Sequence, residues 1–300
     1  MIKTTTTILG FLLLCVHSFC DAPDTSIFTS DFEKKIFLKL DNREPVDSID
    51  LFTALNFKAL SANEKVIGYF EKIYEKVRNL PMNKKLKTVY QEVHNEFFSK
   101  YTEEAFFNDI FINGNYNCVT ATALYALFFD KLGIDYQIKE TPDHVYLIAD
   151  PKNTAMLIES TLPGEKIVQY DERLKIQYVE FLYNNKLISE SEFRNISISE
   201  LFEKHYLNDK TISLKQLAAI QYYNKGIFEY QKKNYGDALK DFEKAKLLNA
   251  DEMISYMLNN TLINLLELEN QLKSYSGRIL AKYIAVNDSN TLGLEIAKDY

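Results

Sequence analysis

The sequence predicts an α+β domain with a helical N-terminal part, followed by an all-α module. Three observations carry that expectation. Apolar residues recur at helical spacing on two segments between residues 61 and 98. A third helical pattern, Cys118 to Leu132, runs into three short strand-like stretches separated by turn chemistry. From Gln216 the pattern is helical alone, with small residues spaced as at a helix crossing.

A chain of 300 residues holds one large domain or two modest ones. With 46% hydrophobic and 26% charged residues its composition is globular rather than disordered. A formal charge of -7 without a long basic run argues against a nucleic-acid partner. The N-terminus reads as an export signal: Lys3, a short apolar run from Ile8 to Val16, then small residues. That run is too short to span a bilayer as a mature helix. Cleavage would follow Ser18 or Cys20; alternatively Cys20 is acylated and becomes a lipid anchor. Either way the expected location is the periplasm or cell envelope. With Cys15 in the signal and Cys20 at its edge, Cys118 is the single thiol of the body. A lone thiol in an exported protein is either buried and inert or kept for chemistry.

In order, the chain divides into a signal at 1–20, an N-terminal segment at 21–60, an α+β domain at 61–164, a helical connector at 165–214 and a helical module at 215–300. Asp21 to Ser26 reads as a tether, Asp31 to Leu40 as a short helix, and Asn42 to Pro45 as a turn. Ser61-Ala62-Asn63-Glu64 is a capping-box pattern that opens a helix carrying Val66, Phe70, Ile73 and Val77. Pro81 breaks that helix and Asn83 caps the next, whose apolar face runs from Leu86 to Phe98. His94 on this helix reads as a packing or surface residue. Gly114 permits a sharp turn. Asn117 is an N-cap, which sets Cys118 at the first helical position, and Gly133 stops the helix. Ile134 to Ile138 alternates as a strand does. His144 to Ala149 and Ala155 to Ser160 then form an antiparallel hairpin about Asp150-Pro151-Lys152-Asn153-Thr154. Tyr170 to Tyr183 is helical, and another short helix begins near Ser197.

A cysteine at a helix start has chemical consequences. Unsatisfied amides and a partial positive charge favour the thiolate, the nucleophilic form. The same amides can donate to an oxyanion once a carbonyl is attacked. A thiol nucleophile needs a base, and the base an orienting acid. His144 opens the first hairpin strand. Asp150 lies six residues along that strand, roughly 20 Å away at about 3.3 Å per residue. Glu159 on the return strand is expected directly opposite His144, roughly 4.5–5.5 Å between Cβ atoms. Geometry therefore selects Cys118, His144 and Glu159; a one-residue slip would turn Glu159 away. One cysteine, one nearby histidine and scattered acids give no metal-ligand spacing, and no cofactor is expected.

Asn117-Cys118-Val119-Thr120 with its helix, then Pro142-Asp143-His144-Val145, then Ile158-Glu159-Ser160-Thr161, resembles the transglutaminase-like superfamily over residues 85 to 162. The resemblance implies a papain-like α+β core and acyl transfer through a thioester. Carried over, the nucleophile is Cys118, the base His144 and the orienting acid Glu159, where the family usually has Asp. It implies a protein or peptide substrate, met by hydrolysis or amine transfer. Residues Gln216 to Ala250, with Tyr222, Gly226, Tyr230, Tyr235, Ala238, Phe242 and Ala245, resemble a tetratricopeptide repeat, with Asn234 to Asp237 as its turn. That likeness implies either a structural helical cap or a groove for a protein partner. The rival to an enzyme is a non-catalytic envelope scaffold acting through that groove.

Overall fold

The structure is a computed structural model that describes residues 27–56, 61–159, 161, 167–272 and 277–287. The export signal, Cys20 and the tether at 21–26 lie outside the described residues, as do the side chains of the Ser61–Glu64 capping pattern.

The fold is α+β. Helices α1 (Asp31–Asp41) and α2 (Ser48–Thr53) precede α3 (Ser61–Val77) and α4 (Met82–Phe97). A two-stranded parallel ribbon, β1 (Lys100–Tyr101) and β2 (Asn115–Tyr116), brackets the short helix α5 (Asp109–Asn113). Gly114 closes α5 with φ of 74°, and a Cβ there would lie 2.3 Å from Ser99 Oγ. Helix α6 (Cys118–Leu132) follows, and every side chain from Val119 to Phe129 is buried. A helix apolar all round belongs inside a core, and this one runs through the main apolar cluster.

One face of α6 meets an antiparallel sheet of five strands in the order β6-β5-β4-β3-β7. Its strands are β3 (Tyr136–Glu140), β4 (Val145–Ala149), β5 (Met156–Ile158), β6 (Ile167–Gln169) and β7 (Lys210–Ile212). Helices α7 (Glu172–Asn184), α8 (Glu190–Asn195) and α9 (Ile198–His205) build a second apolar cluster over Ile148. Helices α10 (Leu214–Gln231), α11 (Tyr235–Leu248), α12 (Glu252–Leu272) and α13 (Arg278–Val286) pack in succession. The first two cross closely at Gly226, where a Cβ would come within 2.7 Å of the Phe242 ring.

Several expectations change. Residues 27–56 are part of the core: Ile36, Phe37, Ile49 and Phe52 belong to the main cluster, and the sequence pattern does not show α2. Helix α4 starts at Met82 with Pro81 at its cap position, and Asn83 only turns its Oδ1 onto the Lys84 amide. The strand expected at Ile134 begins two residues later, and Tyr136–Glu140 pairs with Val145–Ala149 as a hairpin of its own. The stretch read as a helical connector contributes two strands to the sheet, β6 and β7. The turn between α10 and α11 is Lys232 to Asn234, with Lys233 at φ of 64°, so Tyr235 is already helical. Helix α10 packs against the residues before it. Leu217, Ala218, Ala219 and Tyr222 of α10 sit in the same cluster as α6. Gln221 donates to Phe52 O (3.1 Å) and accepts from the Phe107 amide (2.8 Å), both buried.

Candidate active site

The site is assembled from the start of α6, the turn before β4 and the end of β5. Asn117 caps α6 through a reciprocal box: its Oδ1 accepts from Thr120 N (3.0 Å), and Thr120 Oγ1 accepts from Asn117 N (2.9 Å). Its amide nitrogen donates to Glu103 O and Ala105 O, each at 2.9 Å. Every polar atom of the side chain is thus used, and the first residues of α6 are held against the preceding loop. The Ala121 amide reaches Asn117 O. Of the amides at this terminus, those of Cys118 and Val119 are then the ones without an intrahelical partner.

Cys118 is a free, partly exposed thiol at the first position of α6. His144 sits immediately before β4, held by Thr141, whose N–H and hydroxyl both donate to His144 O (2.8 and 3.2 Å). The imidazole stands beside Cys118, the first cause of its raised pKa, and its Nε2 lies 2.7 Å from Glu159 Oε2. An ionised carboxylate can only accept, so Nε2 carries the proton and Nδ1 is left for the sulfur. Glu159 is buried, and its other oxygen accepts from the Thr161 amide (2.8 Å) and hydroxyl (2.7 Å). The Tyr90 hydroxyl donates to Glu159 O (3.3 Å).

The electrostatics follow from these contacts. The hydrogen bond with Cys118, then that with Glu159, push His144 up to about 10 against the effect of burial. Burial is the largest influence on Glu159 and acts upward. The hydrogen bonds from His144 and Thr161 outweigh it and hold the carboxyl below its usual range. The site therefore favours a charged imidazolium at His144 beside an ionised Glu159.

The structure brings Cys118, His144 and Glu159 together, but not in the expected register. Leu147 pairs with Ile158 and Ala149 with Met156. That pairing ends at Leu147 and Ile158; His144 lies three residues beyond it and Glu159 one, so the two are not directly opposed. The connection is longer than the five-residue turn, because Ala155, at φ of 45°, belongs to it. Asp150 closes this connection instead: its carboxylate accepts from Asn153 Nδ2 (2.8 Å) and Thr154 N (3.0 Å).

Sequence reasoning missed the supporting residues. Tyr90 stacks on Tyr125 (5.5 Å between centroids) and on His94 (5.7 Å), forming an aromatic layer beneath the site. Tyr101 also stands beside it: burial first, then the charge of Cys118, raises its phenol. Thr161 carried one signal, a donor two residues after an acid. The aromatic layer carried none, because its members come from separate elements.

A cleft of about 520 Å³ opens on Cys118 and His144. Among the described residues, no three His, Cys, Asp or Glu side chains gather as a metal site, and no helix is long and apolar enough to cross a membrane. Comparison of the chain with protein-family models, with curated proteins and with solved structures returns no match.

Proposed function

We propose that this chain is a transglutaminase-like cysteine acyl-transfer enzyme of the cell envelope, acting on peptide or amide bonds through a thioester. The observation that carries the proposal is the grouping of Cys118, His144 and Glu159 at the mouth of a cleft, with His144 Nε2 2.7 Å from Glu159 Oε2. A papain-like relation for the helix-and-sheet core belongs to the same reading.

In the first half-reaction the Cys118 thiolate attacks the carbonyl carbon, and the carbonyl electrons move to oxygen. The free amides of Cys118 and Val119 are the donors for that oxyanion. Collapse expels the amine, which takes the proton from His144 Nδ1, and leaves a thioester. In the second half, water or an amine attacks the thioester carbon and gives its proton to His144 as the thiolate departs. Glu159 keeps the ring oriented and stabilises its charged form throughout.

The test is alkylation of Cys118 by iodoacetamide as a function of pH. An ordinary thiol reacts chiefly above about pH 8.5. The expected outcome is rapid reaction at pH 6 to 7 in the wild type and slowing of roughly tenfold or more in His144→Ala. Ordinary thiol behaviour in both proteins removes the catalytic claim and leaves the scaffold.

A further inference from the structure

Half of the cleft does not come from the α+β layer. Beyond Cys118 and His144 it is lined by Ile220 and Tyr223 of α10 and by Met253 and Ile254 at the start of α12. Met253 is 56% exposed, a large apolar side chain left open beside a nucleophile. The start of α12 is also fixed relative to the sheet. Lys210 of β7 bridges Glu140 of β3 (2.9 Å) and Asp251 just before α12 (3.3 Å). The Asp251 carboxylate in turn accepts from the Met253 amide (2.9 Å). An apolar wall held by an ion-paired rim is built to receive a side chain. A volume of about 520 Å³ falls within the range of small-molecule and peptide sites.

We infer that α10 and the start of α12 form the acyl-binding wall of the cleft, selecting substrates whose attacked carbonyl belongs to a residue with an apolar side chain. This rests on Cys118 being the nucleophile. The helical array is then a specificity element of the site rather than a separate module. Glu140 and Asp251 share Lys210, and Asp143 adds a third carboxylate to the lining against Lys210 and His144.

The experiment compares acetyl-leucyl with acetyl-glycyl chloromethyl ketone, reading the Cys118-containing peptide by mass spectrometry. In each case the thiolate sulfur bonds to the methylene carbon and chloride leaves with the C–Cl electron pair. The reactions are run at pH 9, where an accessible thiol is largely ionised, so selectivity is read independently of activation. The leucyl reagent is expected to label about tenfold faster or more, the factor that burial of a leucine side chain supplies. Met253→Asp, an exposed site where a helix start tolerates an acid, is expected to bring the leucyl-to-glycyl ratio to about one. Ile220→Asn is expected to do the same from the other helix. Equal rates in the wild type, or a leucine preference that survives both substitutions, overturns the inference. Iodoacetamide at pH 7 reads the proposed function separately. Slow labelling there that does not depend on His144, with leucine preference intact at pH 9, removes catalysis and retains the apolar wall.

Discussion

Glu159 reaches His144 because it is a glutamate. The two residues are offset beyond the last strand pair rather than directly opposed, and the extra methylene of glutamate spans part of that offset. Glu159→Asp is therefore expected to lose the 2.7 Å contact while keeping the charge, and Glu159→Gln to keep the length and lose the charge. Both are expected to lower turnover by roughly 10²–10⁴, the scale on which orienting acids act. Histidine NMR separates them from general damage: the wild-type His144 resonance is expected to titrate near 10, and that of Glu159→Gln at lower pH. A folded-state value above the ordinary 6.5 means that the charged imidazole stabilises the fold fully below about pH 6.5. That contribution disappears as pH rises through about 10. The melting-temperature gap between wild type and Glu159→Gln should accordingly narrow from pH 6 to pH 10.5, and a constant gap would refute the linkage. Cys118, His144 and Glu159 were legible because each falls at an element end whose local signals are strong. The offset between His144 and Glu159 was not, because it depends on Ala155 adopting a left-handed backbone that its sequence does not announce.

At the scale of the element, α6 carries the site, and Asn117 carries the start of α6. Asn117→Ala removes one cap, worth about 1 kcal/mol. It also strips Glu103 O and Ala105 O of their donor, at about 1–3 kcal/mol for a buried polar group left unpaired. Asn117→Ser restores the cap alone. The expected order of stability is wild type, then Ser, then Ala, with Ser about 1–3 kcal/mol and Ala about 2–4 kcal/mol below wild type in urea unfolding. Equal stability of Ser and wild type would show that the loop contacts contribute nothing. Helix α6 was legible end to end because an N-cap, a continuous apolar run and a terminal glycine coincide in fifteen residues. Strands β6 and β7, three residues each, were not. Three residues show no period, and their pairing is decided by partners far along the chain: Ile212 pairs with Ile138. The α2 helix hid for a similar reason, being six residues long.

For the whole molecule the question is whether the helical array is an appendage. Lys244 of α11 is 1% exposed, yet its Nζ meets Glu33 of α1 at 3.1 Å and Asp241 at 2.9 Å, and lies 5.2 Å from the centre of the Tyr222 ring. Glu33 also accepts from the Thr29 amide and hydroxyl, and Asp241 from Lys225. Two carboxylates and two ammonium groups thus share one buried site, and it ties the first described helix to the C-terminal array. Removing one charge from such a set leaves another uncompensated, at about 3–5 kcal/mol, whereas the exposed Arg194–Glu190 pair contributes at most about 1 kcal/mol. Lys244→Met is therefore expected to destabilise by about 3–5 kcal/mol and Arg194→Met by less than about 1 kcal/mol. The placement of Lys244 gives a stronger expectation than its magnitude. With Glu33, Gln221 and Tyr222 all joining α10 and α11 to the remainder, unfolding should be one transition, with far-UV circular dichroism and protection of Cys118 from alkylation lost together. A chain ending at residue 213 leaves the partners of Phe52 and Phe107 unmade and should not fold. A truncated protein that melts cooperatively, or two separate transitions in the full chain, would overturn the expectation of a single cooperative unit.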